Sequence, residues 1–75
     1  MKEIEVRYFA TFRKNGIKKE TITFDDKLRV EDVLRLKKIE EDEVAILLVN
    51  GKKTSVETEL KNGDVVSLFP PVGGG

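Results

Sequence analysis

Three Asn-Gly pairs, at residues 15–16, 50–51 and 62–63, punctuate this chain of 75 residues. Asn-Gly is a strong turn signal, because both residues tolerate positive φ. Before the first turn, Ile4, Val6 and Tyr8 alternate with Glu5, Arg7 and Phe9. That period of two marks a strand with one buried face. Residues 17–24 form a second strand, with Ile22 and Phe24 toward the core, and the two strands make a hairpin. Asp25-Asp26-Lys27 is a polar break.

Val30, Val33 and Leu34 then recur at helical spacing, with Ile39 as a later contact. Glu31 and Asp32 fall in the first turn, where the helix dipole favours acids. Arg29 is a poor N-cap, so this start is blunt. Residues 40–43 are an acidic connector, read as a solvated loop or helical turn. Residues 44–49 are nearly all apolar and read as a central strand of the kind covered on both faces. Asn50-Gly51 turns the chain, a short strand follows, and Leu60 anchors an irregular crossing. After Asn62-Gly63-Asp64, residues 65–69 form the last strand. Pro70-Pro71 ends it, since proline cannot donate to a sheet ladder. Strand, strand, helix, strand, short strand, strand is an α+β plan: a mixed sheet with one helix on one face.

Composition removes several classes of function. A chain of this size is one small domain and buries only about 60–65% of the surface its unfolded form exposes. Such folds often need disulfides or a metal, yet Cys and His are both absent. The core therefore holds alone or with a partner's help. The same absences rule out a thiol nucleophile, an imidazole base, ordinary zinc sites and Cys-ligated iron–sulfur clusters. The 14 basic and 14 acidic residues cancel, so no basic excess points to nucleic acid. Charged residues reach 37% and are rich in Lys and Glu, a weak signature of heat-stable proteins. The start lacks the apolar run of a signal peptide, and nothing approaches the roughly 20 apolar residues of a membrane span. The absence of Cys suits a cytoplasmic protein at least as well as a secreted one, and the expected location is cytoplasmic.

Four motifs stand in a telling order: Val6-Arg7-Tyr8-Phe9-Ala10, Val49-Asn50-Gly51, Leu60-Lys61-Asn62-Gly63-Asp64-Val65-Val66, and Phe69-Pro70-Pro71-Val72-Gly73-Gly74-Gly75. Together they resemble the MoaD/ThiS family of sulfur-carrier proteins over essentially the whole chain. The resemblance implies a ubiquitin-like β-grasp fold of four to five strands and one helix. In it the first and last strands are neighbours and the third lies beside the last. It also implies a domain over residues 1–69 and a flexible tail over residues 70–75. The Phe-Pro-Pro-Val-x-Gly-Gly ending is most like MoaD, the small subunit of molybdopterin synthase. The short helix-to-strand connection and Gly73 are more like ThiS, the carrier for thiazole synthesis.

The family resemblance implies a carrier rather than an enzyme. The Gly75 carboxylate attacks the α-phosphate of ATP in a ubiquitin-activating-like adenylating enzyme, and sulfur then replaces AMP to leave a thiocarboxylate. ATP and magnesium belong to that partner, and no cofactor or metal is bound by this chain. The second partner is the large subunit of molybdopterin synthase; neither nucleic acid nor membrane is involved. The tail's composition fits such a task. Gly73 and Gly74 lack side chains and thread a narrow site. Pro70 and Pro71 stiffen the exit, and Val72 links them to the glycines. From Pro70 onward an extended chain reaches up to about 20 Å.

Period 2 adds a second expectation. If Ile4, Val6, Tyr8, Val66 and Leu68 face the helix, Phe9 and Phe69 face away from it. In residues 44–49, Ala45, Leu47 and Val49 point inward, and Ile46 and Leu48 outward. Phe9, Ile46, Leu48 and Phe69 then gather opposite the helix, at the root of the tail, as an apolar docking patch for a partner. Arg13, Lys14, Lys18 and Lys19 around the first hairpin read as a solvated charged turn. The acidic residues 40–43 lack the pattern of a calcium loop and read as surface. Three alternatives to the MoaD role stay open: a ThiS-type carrier, a ubiquitin-like modifier joined to lysine through Gly75, and a binding module whose glycines do nothing.

Overall fold

A computed structural model describes residues 1–12 and 18–71 of the chain. Strand β1 (Lys2–Tyr8) is followed by a 3₁₀ turn (Ala10–Phe12), strand β2 (Lys19–Phe24) and helix α1 (Val30–Leu36). A second 3₁₀ turn (Glu41–Glu43) precedes β3 (Ile46–Val49), β4 (Lys52–Lys53) and β5 (Val65–Phe69). The strands form one mixed sheet in the order β2-β1-β5-β3-β4. The β1–β5 pairing is parallel, whereas β1–β2, β3–β4 and β3–β5 are antiparallel. This is the five-stranded β-grasp arrangement that the family resemblance implies.

The alternation in β1 works as read. Ile4, Val6 and Tyr8 are buried, and they meet Val30, Val33 and Leu34 of the helix, Leu47, and Val66 and Leu68 of β5 in one core. Ile22, Phe24 and Ile39 pack against its margin. The second strand is described from Lys19; Ile17, the Asn15-Gly16 turn, Arg13 and Lys14 lie outside the described residues.

The helix start is better made than Arg29 suggests. The backbone N–H of Arg29 donates to the Asp32 carboxylate at 2.9 Å, the reciprocal half of a capping box. The next two N–H groups, of Val30 and Glu31, have no partner within the helix. They donate instead to the carbonyls of Thr58 (3.0 Å) and Val56 (2.8 Å) on the irregular crossing. Leu60, 3% exposed, pins that crossing into the core, and its N–H donates to the Leu28 carbonyl at 2.7 Å. The crossing thus completes the helix N-terminus as well as filling space.

The expectation for residues 44–49 needs correction. β3 starts at Ile46, and Ala45 is exposed rather than inward. The N–H of Ala45 donates to the Phe69 carbonyl at 2.8 Å, while Ile46 is the register partner of Phe69. Two consecutive residues therefore address one, and strict alternation fails there as at a β-bulge. Nor is the strand covered on both faces: Ile46 is 42% exposed. The helix occupies only the other side.

Candidate functional site

The face opposite the helix is assembled by register. In β3–β5, Leu47 pairs with Leu68, both buried, so the neighbouring pairs Ile46–Phe69 and Leu48–Ser67 point the other way. Phe9 follows the last residue of β1. Its N–H donates to the Leu68 carbonyl at 3.2 Å, which extends the β1–β5 ladder by one step. Its ring stacks on that of Phe69, with centroids 4.2 Å apart and planes 10° from parallel. An offset stack of this kind holds both rings without burying either under the helix. Phe9, Ile46 and Phe69 are thus brought together, with Leu48 one pair further along the same face. Phe9, Leu48 and Phe69 are half-buried, and Ile46 is exposed.

The strand end carrying these groups is held from both sides. The carbonyls of Leu68 and Phe69 accept bonds from Phe9 and Ala45 respectively. Pro70 is half-buried and Pro71 exposed; neither has an N–H to continue the ladder. The direction in which the chain leaves the sheet is therefore set by bonds to two different strands' flanks. Val72, Gly73, Gly74 and Gly75 lie outside the described residues.

Polar neighbours of the patch escaped the sequence reading. Arg7 and Ser67 are register partners on the same outward face. Arg7 also forms an ion pair with Glu5, and that hydrogen bond holds the Glu5 carboxyl below the usual range. Lys53 stands opposite Leu48 and is exposed. A signal for Lys53 existed. Asn50 and Gly51 both take positive φ, at 54° and 81°, and a two-residue turn of that type forces residue 49 opposite 52 and 48 opposite 53.

On the helix side, the Tyr8 hydroxyl donates to Glu20 at 2.6 Å. Lys37 at the helix end reaches the same carboxylate at 2.8 Å. Lys37, then Tyr8, lowers the Glu20 carboxyl from its usual value. Burial, then Glu20, pushes the Tyr8 phenol up. This trio ties the helix C-terminus to the sheet. It sits on the face away from the patch and plays no part in the site.

Comparison with known proteins falls into one line. The model of the ThiS family matches residues 6–75 of this chain. Small archaeal modifier protein 3 of Haloferax volcanii is 38% identical, over 97% of this chain and 99% of that protein. A solved structure described as a putative molybdopterin converting factor, subunit 1, from Pyrococcus furiosus superposes with a TM-score of 0.74 at 36% identity, covering 96% of this chain and all of that one. A chain from the complex of subunits 1 and 2 of the molybdopterin-converting factor of Helicobacter pylori superposes at 0.66 with 26% identity, over 97% of this chain and 99% of that one.

Proposed function

From the premise that this chain belongs to the ThiS family of ubiquitin-like sulfur carriers, we propose that it carries sulfur on Gly75 as the small subunit of a molybdopterin synthase. The observation that carries the reading is the patch at the tail root. The Phe9–Phe69 stack, with Ile46 beside it, runs straight into Pro70. A partner that grips this patch receives the tail in a set direction. The likeness to one subunit of a two-subunit converting factor supports a large-subunit partner of that kind.

The chemistry needs little from this chain. An oxygen of the Gly75 carboxylate attacks the α-phosphorus of ATP in the activating enzyme, pyrophosphate leaves, and an acyl adenylate forms. Hydrosulfide delivered by the partner then attacks the carbonyl carbon, AMP leaves with the bonding pair, and a thiocarboxylate and a proton remain. The carbonyl carbon of the acyl phosphate is a far better electrophile than that of a carboxylate, which is why activation precedes sulfur transfer. Gly73 and Gly74 place no side chain in the way, and Pro70 and Pro71 keep the exit stiff.

The test is intact mass after incubation with ATP, magnesium, the cognate activating enzyme and a sulfur donor. The reading expects an oxygen-for-sulfur mass gain, lost when Gly75 is deleted. Co-purification with a synthase large subunit from the same cells then supports the molybdopterin role. A second reading follows from the 38% identity to a small archaeal modifier protein: conjugation of Gly75 to lysine side chains. Isopeptide-linked adducts in cell extract, with no large subunit retained, would favour the modifier instead.

A further inference from the structure

The strand β2 (Lys19–Phe24) closes one side of the sheet, and among the described residues no strand lies beyond it. It has six residues and contains neither proline nor glycine, so Lys19 is the residue in it of the kind that blunts an edge. In the β1–β2 ladder, Tyr8 N–H donates to the Lys18 carbonyl at 2.8 Å, and the register runs Lys2–Phe24, Ile4–Ile22, Val6–Glu20. Antiparallel pairing alternates, so even-numbered residues of β2 turn their backbone groups to β1. Lys19, Thr21 and Thr23 present theirs to the open edge.

The charges along this edge are antisymmetric. Lys18-Lys19 precede the segment 20–24, and Asp25-Asp26 follow it, with Ile22 at the centre. All four charged residues are exposed. An isologous antiparallel contact needs this arrangement, because residue i meets residue j and j meets i. We propose that β2 pairs with β2 of a second copy of this chain, centred on Ile22 against Ile22, to form one continuous sheet with both helices on the same side.

Register decides the case. Centred on Ile22, the odd residues supply the hydrogen bonds: Thr21 pairs with Thr23 twice, a favourable cross-strand combination. Lys19 falls across from Asp25 and Lys18 across from Asp26 at each end, where the bend at residues 25–26 leaves the contact to the side chains. Shifting the centre to Thr21 sets Glu20 against Ile22 and leaves all four lysines without acids. Shifting it to Thr23 sets Glu20 against Asp26 and Lys19 against Lys27. Lysines on an edge strand ordinarily repel a second strand. In this one register they meet aspartates instead. The docking patches of both copies then lie on the same face of the joined sheet, and Phe69 and Pro70 of each copy stand away from the contact.

The full chain is measured by sedimentation equilibrium at concentrations rising to about 1 mM, with circular dichroism of every variant as a folding control. Mass rising toward that of a dimer is expected, with backbone amide shifts concentrated in residues 18–26. Lys19→Asp alone and Asp25→Lys alone each weaken association about tenfold, and the double exchange K19D/D25K restores it. Thr21→Pro, which removes an edge N–H that β1 does not use, abolishes it. A monomer mass throughout the range overturns the proposal. So does dimerisation that survives T21P in a folded variant, or a double exchange no better than either single change.

Discussion

Lys38, which follows the helix C-cap Lys37, takes φ of 57°, a region that costs an ordinary L residue about 1–2 kcal/mol. The bonds around it explain why the chain accepts this. Lys38 N–H reaches the Arg35 carbonyl at 3.2 Å and Ile39 N–H reaches Leu34 at 2.9 Å, the two bonds of a Schellman ending. Ile39 is thereby turned into the margin of the core. Glycine is the usual residue here, so Lys38→Gly should raise stability by about 0.5–1 kcal/mol in urea unfolding. Glu20 gives a prediction with a pH sign. Its folded-state carboxyl lies below the ordinary 4.5, so its ion pair and hydrogen bond stabilise the fold above that value. The contribution fades as pH falls through the lower folded value. Because Glu20 and Lys37 are about a third exposed, at 32% and 30%, it is worth no more than about 1 kcal/mol. Unfolding curves of the wild type and Glu20→Gln should differ near neutrality and converge in acid.

The helix spans Val30–Leu36, too short to persist by itself in water. Its termini are finished by other parts of the chain. Asp32→Ala removes the acceptor for Arg29 N–H and a favourable charge at the helix start, and should cost about 1 kcal/mol. Leu60→Ala should cost more, about 2–5 kcal/mol, and should loosen the helix start as well. Hydrogen exchange at Val30 and Glu31 would show it, since the crossing held by Leu60 supplies their acceptors. The helix itself was legible from Val30, Val33 and Leu34. Its N-terminal partners were not, because Val56 and Thr58 are distant in sequence and act through backbone carbonyls that any residue possesses.

One sheet serves two purposes on its two faces. The helix side holds the core, and the other side carries the Phe9, Ile46, Leu48 and Phe69 group beside Pro70. Ile46 is 42% exposed, so a charge there should disturb binding more than folding. Ile46→Asp should weaken association with the proposed synthase large subunit by at least about tenfold, measured by calorimetry. Its melting temperature should stay within a few degrees of the wild type. If binding is unchanged, the patch is not the docking surface. Two features flank the patch without having been foreseen, Lys53 beside Leu48 and the 3₁₀ turn Ala10–Phe12 that follows Phe9. Ala10 enters that turn at φ 53°, a conformation that nothing in an alanine announces.

Neighbouring residues along the chain settle which side chains face inward in β1 and β5, that the chain turns at residues 50–51 and 62–63, that one helix crosses the sheet, and that the last strand stops at Pro70. Each is a local matter: periodicity, positive φ at Asn-Gly, and a missing N–H are properties of neighbouring residues. Tertiary structure decided which strands lie side by side and in what register. The parallel β1–β5 contact brings Phe9 to Phe69, and the antiparallel β3–β5 contact sets Ile46 across from Phe69. It also made Ala45 an exception to its own alternation. Those outcomes depend on pairing energies between segments far apart along the chain, where a shift of one residue exchanges the two faces of a strand.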